Sequence, residues 1–147
     1  MTRRIVGVAV LVLAIAGSIA AGEDRSYVRP SVPDGDGPPF SGAVRVGDTL
    51  YLSGDIGVDE EQKVPATAKA EAKLLLDGIK ATLEAAGYTM DDLITVTVYC
   101  SDVKHYADFN EVYRTYFTKE YPARAFVGSG TLLFDARFEL QAIAVKR

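Results

Sequence analysis

The chain has 147 residues, 48% of them hydrophobic and 24% charged, which suits one globular domain and excludes a disordered segment. Acidic residues outnumber Lys and Arg by 20 to 16, and without residues 1–22, which hold Arg3 and Arg4, 14 basic residues face 20 acidic ones, so nucleic acid is not an expected partner. The single Cys100 excludes an internal disulfide, and the single His105 excludes a multi-histidine metal centre.

Residues 1–22 read as an export signal. Arg3 and Arg4 supply a positive start, Ile5 to Ala21 carries no charge, and the small residues from Gly17 to Gly22 place cleavage after Ala20 or Gly22. As a helix the uncharged run spans about 25 Å, short of a hydrocarbon core of about 30 Å, which argues against an uncleaved anchor. The mature protein is therefore expected in the periplasm or secreted, off the membrane. Residues 23–39 hold four of the six prolines and read as a flexible Pro/Gly-rich leader. The globular pattern runs over 40–147.

Ala43–Val46 and Thr49–Gly54 flank Gly47-Asp48, which predicts a β-hairpin with a two-residue turn. From Thr67 to Ala86 the apolar positions Ala68, Ala72, Leu75, Ile79, Leu83 and Ala86 recur every three or four residues, which predicts an amphipathic helix with Gly87 as its C-terminal cap. Leu93 to Cys100 alternates, with Ile94, Val96, Val98 and Cys100 on one face of a half-buried strand. A second helix follows, with Asp102 near its start, Phe109, Val112, Tyr113, Tyr116 and Phe117 on one face, and Pro122 as its stop. Strands over Arg124–Gly128 and Arg137–Val145 end the chain. The order ββαβαββ predicts an α+β sandwich with two helices on one face of a mixed sheet, and self-association to cover the other face.

Few residues are candidates for chemistry. Arg124 and Phe126 share one face of their strand; Arg137, Glu139 and Gln141 share a face of the last strand. Two adjacent β segments then direct Arg124 and Glu139 towards one space. A guanidinium binds a carboxylate bidentately and a carboxylate activates water, so the pair suits a small acid with an electrophilic carbon. An ordinary Arg–Glu ion pair on a solvated sheet face satisfies the same spacing. His105 reads as a surface histidine and Cys100 as a buried, inert thiol. Ser53-Gly54-Asp55 reads either as backbone donors for an anion or as the turn that ends a strand. The aromatic residues of 106–117 read as helix core.

Six stretches resemble the Rid family, the RidA-like imine deaminases formerly described as endoribonuclease L-PSP. They are Phe40–Val44, Leu52–Ile56, Leu83–Gly87, Phe109–Tyr113, Tyr121–Arg124 and Glu139–Ala144. The resemblance implies a chorismate-mutase-like fold assembled as a homotrimer, with ligand clefts between subunits. It implies hydrolytic deamination of small 2-imino or enamine acids to 2-oxo acids and ammonia, with neither metal nor organic cofactor. Arg124 would hold the substrate carboxylate and Glu139 would position or activate the attacking water; Gly54 and Asn110 would line the cleft. The chain departs from the pattern at Phe40, where many members have tyrosine, and at Phe126, where many deaminases have cysteine. Asp55 stands for a common glutamine and Gln141 for a common glutamate, and Gly128 to Asp135 lacks the usual Leu-Pro loop. A non-catalytic trimer of the cell envelope, binding small carboxylates or a protein partner through the same arginine, is the alternative expectation.

Overall fold

The hairpin forms because Gly47 accepts a φ of +57°, the left-handed turn geometry that lets two β-prone runs meet in register. The strands are β2 (Ala43–Val46) and β3 (Thr49–Ile56). The computed structural model describes residues 24–29 and 37–146, so the segment read as an export signal lies outside the described residues. Part of the expected leader is a strand instead. β1 (Arg25–Val28) pairs antiparallel with β2, because a β2 edge left bare would present unpaired backbone groups and Ser26-Tyr27-Val28 is β-prone. It is an exposed edge strand, and of its four residues Val28 packs on the core.

The first helix, α1 (Ala68–Ala85), starts where the Thr67 side chain accepts the Ala70 N–H, and it buries Leu75, Leu76, Ile79 and Leu83. Gly87, at φ +80°, returns its own N–H to Glu84, and the Tyr88 N–H returns to Leu83. Next come β4 (Leu93–Cys100), α2 (Tyr106–Tyr113) with a tight helical turn at Arg114–Tyr116, β5 (Ala123–Gly128) and β6 (Phe138–Val145). Asp102 caps a short turn ahead of α2 by accepting the Lys104 N–H at 3.0 Å. The sheet order is β1-β2-β3-β6-β4-β5. Only β4 and β5 run parallel, since α2 carries the chain back across the sheet between them.

Both helices lie on one face of this mixed sheet, as the α+β reading expects, against Leu50, Leu52, Val96, Val98, Phe138, Leu140 and Ala142. Within β4 the pattern is shifted at one point. The register with β6 skips between Leu93 and Thr95, so Ile94 is an inserted residue, 51% exposed, and Leu93 is buried in its stead.

Periodicity does not disclose the clamp at the start of β6. Glu71 of α1 has no exposed surface. Its Oε1 accepts the N–H groups of Arg137 at 2.5 Å and Phe138 at 3.0 Å, and its Oε2 accepts Arg137 Nη1 at 2.7 Å. Arg137 also donates to the carbonyls of Pro65 and Ala66. Arg137 therefore does not share the face of Glu139: it precedes the strand and its guanidinium turns to the helix side.

Removing one partner of a buried pair strands the other. Glu71→Ala is expected to cost about 3–5 kcal/mol in denaturant melts. Lys73→Ala, which breaks the exposed Lys73–Asp77 pair, is expected to cost less than about 1 kcal/mol. Equal small losses from both would show that the clamp carries no weight.

Candidate functional site

Arg124 pairs across β5 and β4 with Val96, a residue buried beneath the helices, so its side chain rises on the helix side. Arg124 Nη2 donates to Asn110 Oδ1 at 2.7 Å. The guanidinium carbon lies 4.7 Å from the ring centre of Tyr113, 5.7 Å from Phe126 and 5.8 Å from Tyr106, within cation–π reach. Phe126 packs edge-on to Tyr106 at 4.9 Å and to Phe109 at 5.6 Å, so it forms an apolar wall beside the arginine. Together these groups frame an open cavity of about 250 Å³ lined by Tyr106, Asn110, Tyr113, Arg114, Tyr121, Pro122 and Arg124.

No carboxylate lines that cavity. The Tyr106 phenol is held below its usual range by the Asn110 amide first and by the Arg124 charge second. Burial pushes the Tyr113 phenol up to about 12, against the opposing pull of Arg124, so it stays protonated as a donor. The Tyr113 hydroxyl is buried and has no hydrogen-bond partner among the described residues.

A second group of residues gathers around β3. Glu139 sits between the buried Phe138 and Leu140 and opposite Tyr99 and Ile56, so it projects from the open face of the sheet. A β-bulge between Leu52 and Asp55 brings Gly54 beneath it: a Cβ on Gly54 would collide with Glu139 Oε1 and lie 3.1 Å from its Cδ. Asp55 turns the other way, towards α1, where Gly78 makes room. A Cβ there would stand 2.7 Å from Asp55 Oδ2. The Asp55 carboxyl accepts the Ile56 N–H at 2.9 Å. Burial pushes its pKa up, the Ile56 N–H pulls it back, and the charge of Glu139 adds to the rise. Phe40, Gly54 and Asp55 share a cavity of about 430 Å³ against α1.

The chain thus brings Arg124 together with Asn110 and Phe126, and Gly54 together with Phe40 and Glu139. It does not bring Arg124 to Glu139. β4 lies between β5 and β6, so the two segments are not adjacent, and the two side chains leave opposite faces of the sheet. Ser53-Gly54-Asp55 is neither a turn nor a terminus but the interior of β3, with Ser53 Oγ donating to the Ser41 carbonyl at 2.6 Å. Cys100 is fully buried, its thiol pushed up by desolvation, and His105 packs edge-on to Phe138. Among the described residues no three His, Cys, Asp or Glu side chains converge as metal ligands would.

Reading the aromatic cluster as helix core misses part of the site. Phe109 and Tyr113 are core, but Tyr106, 48% exposed, Arg114 and Tyr121 line the Arg124 cavity. The signal was in the spacing, since Tyr106, Asn110, Tyr113 and Arg114 fall on one side of a helix.

Residues 35–146 match the family model described as Endoribonuclease L-PSP. A RutC family protein from Pyrococcus horikoshii is 41% identical over 110 residues, covering 74% of this chain and 87% of the relative. An Escherichia coli K12 protein named 2-iminobutanoate/2-iminopropanoate deaminase is 36% identical over 127 residues, covering 84% of this chain and 98% of the relative. Among solved structures, RidA from an Antarctic Psychrobacter species superposes with a TM-score of 0.72 at 31% identity, over 85% of this chain and 98% of that one.

Asp55 supplies a pH signature for the β3 group. Its folded pKa lies above the 3.8 of a free carboxyl, so the folded chain holds this proton more tightly than the unfolded chain. The associated stabilisation is complete below 3.8 and is lost as pH rises through the folded value. Asp55→Asn, which keeps an oxygen for the Ile56 N–H, is therefore expected to melt above wild type at neutral pH, with the gap closing in acid. A gap that does not change with pH would overturn this assignment.

Proposed function

Because the chain belongs to the endoribonuclease L-PSP family, we propose that it is a hydrolytic deaminase of small 2-imino acids, acting at a site completed by a second copy of itself. The observation that carries this reading is Arg124: a guanidinium tethered by Asn110, walled by aromatic rings and facing a cavity without a carboxylate. Such a fork is free to take the carboxylate of a small acid bidentately, in surroundings of reduced polarity where the charge pairing is stronger than in bulk water. Names given to relatives, such as that of the Escherichia coli deaminase, support the same substrate class.

Glu139 is the one acidic group that the sequence pairs with this arginine, yet it leaves the opposite face of the same sheet. In the proposed homotrimer the open face, with Tyr51, Thr95, Thr97, Gln141 and Ile143 around a shallow hollow, is covered by neighbours, and Glu139 of one copy meets Arg124 of the next. Substrate carboxylate on Arg124 places the imine carbon beside that acid. Glu139 orients a water and takes its proton as the oxygen adds to carbon; the proton passes to nitrogen, and the resulting carbinolamine releases ammonia and a 2-oxo acid. Atoms balance as imine plus water, and water addition to an imine carbon draws on no redox or metal chemistry. Cleavage of RNA fits these residues less well: His105 is the only histidine and it packs against Phe138, away from the arginine cavity.

Imines of alanine and 2-aminobutyrate, generated in situ by an amino-acid oxidase and trapped as semicarbazones, measure the activity directly. Wild type should suppress semicarbazone formation, and Arg124→Ala should lower kcat/KM by about 100-fold, as loss of a part-buried charge-assisted contact implies. Retained turnover in Arg124→Ala would overturn the reading. Absent turnover with a retained, Arg124-dependent affinity for small carboxylates would mark a binding protein instead.

The shared site has its own test. Arg124→Ala and Glu139→Ala are each expected to lose activity by about 100-fold or more, and mixed oligomers of the two should recover activity at about one quarter of the sites if subunits assort at random. Mixed oligomers that stay inactive would overturn a site shared between copies.

A further inference from the structure

The arginine cavity holds more positive charge than one carboxylate requires. Arg114 lines it together with Arg124. Six described basic residues pair with acids: Arg45, Lys69, Lys73, Lys80, Lys104 and Arg137. Neither Arg114 nor Arg124 does, although acids outnumber bases along the chain. The carboxylate nearest in sequence, Glu111, is one turn before Arg114 and is taken by Lys69 at 2.6 Å. Within one copy two guanidiniums line one small cavity with no acid on its walls, and the neighbour's Glu139, which the proposed assembly brings to Arg124, still leaves Arg114 unanswered.

A second observation is independent of charge. Tyr113 is 96% buried and lines the same cavity, yet its hydroxyl has no partner. A buried donor left unsatisfied is costly, and a ligand oxygen placed against it would offset that cost. Tyr106, Asn110, Tyr113 and Arg114 lie along one side of α2 and the turn after it, so the cavity runs along the helix from Arg124 and Asn110 towards Arg114. Tyr106 lines the cavity together with both arginines.

We propose that this pocket selects dianions: 2-imino dicarboxylic acids, with Arg124 on the carboxylate beside the imine carbon, Arg114 on the distal carboxylate and the Tyr113 hydroxyl donating to one of their oxygens. The inference rests on the deaminase reading for its chemistry and names the substrate class of that site. The reaction is unchanged, imine plus water giving 2-oxo acid and ammonia, and the second carboxylate is a handle.

The test uses the full chain. Imines made in situ by amino-acid oxidases from aspartate and glutamate are compared with those from alanine and 2-aminobutyrate by semicarbazide trapping. Wild type should favour the dicarboxylic imines about tenfold or more in kcat/KM. Arg114→Ala should lower that ratio about tenfold, Arg114→Lys should restore part of it, and added salt should erode it, as an exposed charge contact demands. A wild-type ratio near one, or a ratio indifferent to Arg114→Ala, overturns the inference while deamination itself stands. Calorimetric titration with succinate and 2-oxoglutarate separates the other case. Arg114-dependent binding of these diacids without turnover of any imine keeps the dianion pocket and overturns the deaminase reading, and neither binding nor turnover overturns both.

Discussion

A carboxylate with no exposed surface holds this architecture in register. Glu71 reaches from the first turn of α1 to the start of β6, where it takes two backbone N–H groups and the Arg137 guanidinium, and Arg137 in turn ties down the carbonyls ahead of α1. Gly57 presses on the same point from the end of β3, close enough that a Cβ there would strike the Glu71 carbonyl. The clamp therefore joins α1, β3 and β6. Those two strands carry Gly54, Asp55 and Glu139, so the position of this acidic group depends on a buried carboxylate that lines neither cavity. Such a buried carboxylate is tolerated because two backbone N–H groups and a guanidinium are directed at it.

The sheet separates the chemistry into two halves. Its pleat sends Arg124 to the helices and Glu139 to the open face, and β4 stands between their strands. Under the proposed reading, a monomer with this geometry has an anion clamp without a base and a base without a clamp. Closure of copies around the open face is the economical way to join them, and it would cover Tyr51, which is 49% exposed, and Ile143. The proposed shared site and the need to cover that face then have one cause.

Three departures from the family pattern, Phe40, Asp55 and Phe126, fall in or beside the two cavities. Phe126 builds an apolar wall against Tyr106 and Phe109, which narrows the space beside Arg124. Phe40 lacks a phenolic hydroxyl, whereas Tyr106 and Tyr113 bring two hydroxyls to the arginine side. Polar groups are thus concentrated on the α2 side of the arginine cavity, where Arg114 also lies.

Local pattern was enough to expose much of this protein. Alternation and the 3.6-residue period locate seven of the eight elements, because each must bury one stripe or face, and Gly47 and Gly87 mark turns that demand positive φ. Alternation singled out Arg124, whereas Asn110 was named only through the family resemblance; the structure joins the two by a hydrogen bond. Three features were decided only by the tertiary structure. β1 lies within the proline-rich leader because it needs the β2 edge, which no local signal contains. The β3 bulge that seats Gly54 under Glu139, and the β4 bulge that expels Ile94, arise from register with β6. Above all, the spacing of Arg124 and Glu139 along the chain suggested one site, but strand order and pleat set them on opposite faces. Sequence determines which way a side chain alternates; only the packed sheet decides which strand is its neighbour and which face is covered.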